Sequence, residues 1–236
     1  MTSSITPVVL GAPPSLEENA RLLVVRFSAV HRTLSWALVG GGLGLARAVV
    51  WRHVSDAELG PSVDPAALLL ASLERPGLEG AVGLLTARDL ATFDCVTRRE
   101  GALAARAVAT VGLGNALAAG DPPGPLRVGT INVLLQLSHG LDEGGLAEAM
   151  ALAVEARTAA VLEARVPSRR SNAWATGTGT DCVVVAAPEA GEPLRWVGKH
   201  TVAGALAGSC VREAVRRGVR RWIADEVARG VQARMA

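Results

Sequence analysis

Asp181, Lys199 and His200 combine the side-chain types that move protons or hold charge, and they sit on two polar loops flanking one short apolar run. The stretch from Ser171 to Thr201 reads SNAWATGTGTDCVVVAAPEAGEPLRWVGKHT. Its first loop is built on Thr176, Gly177, Thr178, Gly179 and Thr180 and ends at Asp181; Cys182 to Ala187 then reads as a buried strand. Gly198, Lys199, His200 and Thr201 follow and open the helix that closes the chain. Glycines admit close approach of backbone to a ligand, and threonines supply hydroxyls.

A helix start at Thr201 offers free amides and a positive end, which suit a developing oxyanion and keep His200 neutral and basic. Asp181 and His200 could therefore form a base and its orienting partner, with Lys199 holding an anion or a polarised carbonyl. The alternative is structural: Asp181 caps the glycine turn and His200 satisfies backbone groups. Cys182 could be a thiol nucleophile beside His200, but the position after an exposed Asp on a strand points inward, so a buried, inert thiol is expected.

Phosphate-binding motifs are not matched. No pair of glycines separated by four residues precedes a Lys-Ser or Lys-Thr here, since His follows Lys199, and the dinucleotide fingerprint is missing too. His31, His53 and His139 share no metal-ligand spacing. No metal or cofactor is expected, although a metal-bound water stays open. Arg169 and Arg170 read as loop residues that could meet an anionic substrate beside Ser171 and Asn172.

The elements around this stretch come from a chain of 236 residues with 26 glycines, two Phe, five Trp, no Tyr and mean hydropathy +0.31. That length suits a single domain, residues 20–236, behind a loose leader, residues 1–19. Its core must pack small side chains closely. The apolar run Leu34 to Val50 is glycine-broken and carries Arg47, so no membrane span is expected, and no signal peptide is evident; a cytoplasmic protein is expected. Cys95, Cys182 and Cys210 lack paired spacing and read as reduced. A net charge of +2, without aromatic residues among the basic ones, argues against nucleic acid.

In chain order, Leu22 to Phe27, Thr33 to Val39 and Ala48 to Val54 read as strands, the last two around the turn Gly40 to Gly42. Asp64 caps a helix from Pro65 to Glu74, ended by Pro76-Gly77. Ala81 to Thr86 is a strand, and Phe93 to Arg98 with Ala102 to Leu113 a hairpin leading to Asn115. Val128 to Leu137 alternates, with Ile131, Val133, Leu135 and Leu137 on one face and Thr130, Asn132 and Gln136 on the other. Leu146 to Glu163 is an alanine-rich helix with Glu148 and Glu155 on an exposed stripe. The last helix, from Thr201 to about Ala228, carries an apolar stripe of Val211, Val215, Val219, Trp222, Ile223 and Val227, which fits a homodimer and a monomer equally. The order implies an α+β fold, a mainly antiparallel sheet covered by helices.

Read together, Gly112-Leu113-Gly114-Asn115-Ala116, Gly129-Thr130-Ile131-Asn132, Ser171-Asn172 with Ala175 through Asp181, and Gly198-Lys199-His200-Thr201 resemble the adenosylcobinamide amidohydrolase family of corrinoid salvage. The resemblance covers roughly residues 20 to 225. It implies hydrolysis of the amide joining the aminopropanol arm to the corrin ring, giving adenosylcobyric acid and 1-amino-2-propanol. On that chemistry, Asp181 or His200 is the expected base and Lys199 or His200 the acid. Backbone amides around Gly177, Gly179 and Thr201 would stabilise the oxyanion. Asn115, Thr130, Asn132, Asn172, Thr176, Thr178 and Thr180 would hydrogen-bond the amide-rich corrinoid rim, and a hydroxyl nucleophile, Thr178 or Thr180, is a variant. The competing reading is a non-catalytic corrinoid-binding or carrier protein with the same pocket.

Overall fold

The computed structural model describes residues 10–19, 21–60, 62–125 and 129–235. Ten strands and three α-helices follow in the order β1 (Ser15–Glu17), β2 (Leu22–Ser35), β3 (Gly42–His53), α1 (Pro65–Leu73), β4 (Val82–Thr86), β5 (Asp94–Glu100), β6 (Leu103–Val111), β7 (Ala116–Leu117), β8 (Ile131–Leu137), α2 (Glu143–Glu163), β9 (Gly177–Thr178), β10 (Cys182–Pro188) and α3 (Val202–Met235). The fold is α+β with a mixed, mainly antiparallel sheet, as expected.

The main sheet runs β4-β3-β2-β10-β8-β6-β5, with β1 on β2. Among the described strands, only the β3–β4 and β8–β10 pairs are parallel. β10, late in the chain, enters between β2 and β8 and so completes the centre of the sheet. Strand β2 is far longer than its sequence signal. Its register against β3 shifts between Arg26 and His31, and this irregularity lets one continuous strand serve two halves of the sheet. The first half pairs with β1 and β3, the second with β3 and β10.

Side-chain alternation then sorts the core into layers. Ile131, Val133 and Leu135 of β8 and Val183 and Val185 of β10 face α2 and α3, whereas Leu134, Cys182, Val184 and Ala186 face Leu23, Val25, Val49 and Trp51 of the folded-over half. Leu22, Val24, Ala48 and Val50 face outward again, to Leu73 at the end of α1. The alternation read along β8 is therefore correct, although both of its faces are buried. Its first position, Val128, lies outside the described residues.

Small residues set the helix-to-sheet distance, as the composition implied. Ala149, Ala153, Ala156, Ala207 and Ala214 are buried between α2, α3 and the sheet. At Gly218 an added Cβ would come within 2.5 Å of Val111 Cγ2, so α3 lies directly on β6 there. The helix starts follow their caps: Asp64 accepts from the Ala66 amide at 2.9 Å, Asp142 from Gly145 at 2.7 Å, and Thr201 from Gly204 at 2.9 Å.

Of the residues expected to form a leader, 10–19 are described. Ser15–Glu17 pairs with β2, Leu10 is buried, and the Gly11 and Ala12 carbonyls accept from buried Arg106. Residues 1–9 lie outside the described residues. Among the described residues, no helix is long and apolar enough to cross a membrane.

Candidate functional site

The glycine-threonine loop is held by a two-strand ribbon, β7 against β9, which places Asp181 at the mouth of β10. The Asp181 side chain is 6 % exposed and receives four donors. The Ile131 and Thr178 amides donate at 2.9 Å each, Arg157 Nη1 of α2 at 2.6 Å, and the Thr178 hydroxyl completes the set. Burial pushes this carboxyl above the usual carboxylate range, opposed by the Arg157 charge and then by the Thr178 and Ile131 donors. Gly177 and Gly179 make the geometry possible. A Cβ at Gly177 would lie 2.3 Å from Asp181 Oδ2, and one at Gly179 would lie 2.7 Å from Asn115 Nδ2.

Asp181 borders a cleft of about 640 Å³ between the two halves of the sheet. Trp36, Leu38, Val54, Leu59, Leu84 and Leu85 form its apolar walls, and Thr130, Asn132, Thr180 and Asp181 its polar end. Trp36 and Leu38, each 50 % exposed, are the large apolar surfaces that the cleft leaves open to a ligand. Asn132 lies in a polar row across the sheet, paired in register with Thr110 of β6 and Cys182 of β10. Its amide donates to the Leu85 carbonyl at 2.7 Å and so ties the polar end to the apolar wall. Thr130 Oγ1 lies 2.9 Å from the Thr180 carbonyl and 3.3 Å from Asn132 Oδ1, and Thr180 Oγ1 donates to the Gly129 carbonyl at 3.1 Å. Burial pushes the Cys182 thiol up to about 12, in keeping with the inert reading.

Of the residues singled out in the sequence, the fold gathers Thr130, Asn132, Thr180 and Asp181 on the cleft, with Thr178 behind Asp181. Asn115, Thr176, Gly177 and Gly179 do not line it: Asn115 is buried against Gly179, and the Thr176 hydroxyl accepts from the Ala119 amide at 2.9 Å. Asn172 is exposed and does not line the cleft. Arg170 donates to the Pro125 carbonyl at 2.8 Å.

The pairing of Asp181 with His200 is not formed. Asp181 stands at the entry to β10, but the chain after β10 bridges Leu194 to Leu141, beyond the far end of β8. On α2, Glu148 accepts from the Val197 amide at 2.6 Å and Glu155 pairs with Lys199 at 2.5 Å. Glu148 stands nine residues and Glu155 two residues before Arg157, the residue that holds Asp181, about 13 Å and about 3 Å of helix axis. His200 is exposed, and Thr201 caps α3. Of the two carboxylates read as an exposed stripe, Glu155 is exposed and pairs with Lys199 at the surface, whereas Glu148 is half-buried and holds the Val197 amide. Conversely, Trp36, Leu85 and Arg157 were not singled out in the sequence. Arg157 carried one signal, a charge on an otherwise inward-facing stretch of an alanine-rich helix. Among the described residues no three His, Cys, Asp or Glu side chains gather as metal ligands.

The chain matches the family described as Adenosylcobinamide amidohydrolase over residues 12–226. A protein named adenosylcobinamide amidohydrolase from Halobacterium salinarum is 36% identical over 114 residues, 45% of this chain and 46% of that protein. An uncharacterised protein of Methanocaldococcus jannaschii is 34% identical over 89 residues, 37% of this chain and 34% of its own length. Both alignments therefore take in less than half of the relative. Among solved structures, a Burkholderia sp. beta-aminopeptidase aligns with TM-score 0.41 and 14% identity, covering 84% of this chain and 78% of that one.

Proposed function

This chain belongs to the adenosylcobinamide amidohydrolase family, and from that premise we propose that it cleaves the amide between the corrin ring and the aminopropanol arm of adenosylcobinamide. The products are adenosylcobyric acid and 1-amino-2-propanol, and the corrinoid acid returns to cobamide synthesis. Beside the family match, the cleft is the observation that carries the reading. Its apolar walls suit the face of a macrocycle, and its polar end supplies two hydroxyls, a side-chain amide and one buried carboxyl for an amide-bearing rim.

Asp181 is the base in this proposal. A water attacks the scissile carbonyl carbon and passes a proton to Asp181. The tetrahedral intermediate collapses with loss of the C–N bond, and Asp181 returns the proton to the departing amine. A carboxyl raised by burial suits both halves of that exchange, and the Arg157 ion pair holds it in place. Thr130, Asn132 and Thr180 orient the amide. Lys199 and His200 are given no part in these steps: Lys199 pairs with Glu155, and the four donors to Asp181 come from Ile131, Thr178 and Arg157.

The test is mass spectrometry of adenosylcobinamide incubated with the purified protein, with and without chelator, beside Asp181→Asn, Lys199→Ala and His200→Ala. We expect a corrinoid carboxylic acid and free amino alcohol, a loss of about 10²- to 10⁴-fold in kcat for Asp181→Asn, and near-normal rates for the other two variants. Co-elution of an intact corrinoid with the protein would instead favour the binding or carrier reading, and neither reaction nor binding would overturn both.

A further inference from the structure

A second hollow, of about 200 Å³, adjoins the apolar cleft. Thr86, Ala87, Gly129 and Thr130 line both spaces and form a saddle between them. Gly129 keeps the saddle low. Its φ is +139°, and a Cβ there would lie 2.6 Å from the Asn115 amide nitrogen, so no larger residue fits without moving that loop.

The two lobes differ in chemistry. Beyond the saddle the walls are Arg88 and Asp89 after β4 and Trp222, Glu226 and Arg229 of α3. An Arg88–Asp225 ion pair ties the loop after β4 to α3, so the two walls hold a fixed separation. Arg229 Nη2 approaches Glu226 Oε1 at 2.6 Å, which orients that carboxylate and leaves Oε2 outside the pair. Trp222 is partly buried against the core and offers an apolar edge beside these charges.

We infer that this hollow seats the amine half of the substrate, a short hydroxyalkylamine. The inference rests on the hydrolysis reading above and deepens it. The corrinoid occupies the apolar lobe, and the scissile amide lies over Thr130 at the saddle. The arm descends between Trp222 and Glu226, its methyl group against the indole edge and its hydroxyl donating to the Glu226 carboxylate. After cleavage, Glu226 becomes the counter-charge for the new ammonium. The size agrees: about 200 Å³ accommodates the five heavy atoms of 1-amino-2-propanol. Glu226 is thus a specificity residue for the leaving group, remote from the proton transfer at Asp181.

The experiment measures initial rates of adenosylcobinamide hydrolysis with added 1-amino-2-propanol or propylamine, in the wild type, Glu226→Gln and Arg229→Gln. Glu226 is exposed on α3, so its variant keeps the fold. The wild type should be inhibited more strongly by the amino alcohol than by propylamine. In Glu226→Gln, KM should rise about tenfold with kcat nearly unchanged, the effect of losing one charge-assisted hydrogen bond, and the preference for the amino alcohol should vanish. Arg229→Gln should change KM less. Unchanged KM and inhibition in Glu226→Gln, with normal hydrolysis by the wild type, overturn the inference and leave the reaction standing. Should the wild type not hydrolyse at all, saturation-transfer NMR with 1-amino-2-propanol decides separately: binding lost in Glu226→Gln supports the seat, and no binding to either protein overturns it.

Discussion

Trp36 donates its indole N–H to the backbone carbonyl of Asp181 at 2.6 Å, joining the end of β2 to the entry of β10. One hydrogen bond thereby couples the open aromatic wall of the cleft to the residue that carries its buried carboxyl. Trp36→Phe keeps most of the wall and removes the bond, and should lower stability by about 1 kcal/mol. Trp36→Ala removes the wall as well. The expected result is a rise in KM for the corrinoid from Trp to Phe to Ala, measured alongside the melting temperature; equal KM in all three would sink the idea that this ring supports the macrocycle.

Arg157 matters more to stability than to contact with substrate. Its side chain and that of Asp181 are 11 % and 6 % exposed, so removing the cation strands a buried carboxylate. Arg157→Met should cost about 3–5 kcal/mol in urea denaturation, with partial recovery in the double variant Arg157→Met/Asp181→Asn. An additive double variant would show that the two side chains do not interact.

Histidine 31 predicts how stability responds to acid. It is fully buried, stacked on Phe27 with ring centroids 4.2 Å apart, and placed 3.0 Å from the Ala29 carbonyl and 3.1 Å from Gln136 Nε2. Burial lowers its pKa, against weaker support for the charged form from the Ala29 and Val30 carbonyls. The unfolded chain then binds more protons between the lowered folded value and about 6.5, so stability rises with pH through that window and is lost as pH falls through it. Denaturation across pH should show this slope, and His31→Gln should flatten it. An unchanged slope would assign the acid response to other groups.

Cys182 should resist alkylation in the native protein near pH 8, since burial pushes its thiol up to about 12, and react freely once unfolded. Peptide mass mapping after iodoacetamide treatment checks this. Native labelling at the rate of an exposed thiol would mean that the floor of the cleft opens to solvent.

The local parts of the fold were legible in the sequence because local rules govern them. Asp64 before Pro65 marked α1, the Ile131–Leu137 alternation gave the two faces of β8, and the Arg99–Gly101 turn gave the β5–β6 hairpin. Strand β2 was only half visible, since the pattern breaks between Arg26 and His31 where the register shifts. Four of the candidate site residues converge on one cleft because their motifs lie at neighbouring strand entries, Gly129 to Asn132 before and within β8 and Thr180-Asp181 before β10. His200 and Lys199 were misplaced for the opposite reason. A strand carries the chain away from its own entry, and the segment that follows β10 hands Lys199 to Glu155 and leaves His200 exposed. Trp36 and Arg157 reach Asp181 through contacts between distant segments, which no local period encodes.

The place of β10 between β2 and β8 also governs how the molecule can be made. A ribosome that has delivered everything up to Asp181 has produced two unpaired strand edges facing a gap, and neither can be satisfied by what has already emerged. Collapse before that moment leaves sticky borders exposed, while the next few residues close the sheet and place the site carboxylate together. Nascent chains stalled just short of Cys182 should therefore be bound by chaperones or aggregate, and those released past Pro188 should become protease-resistant over a narrow range of lengths.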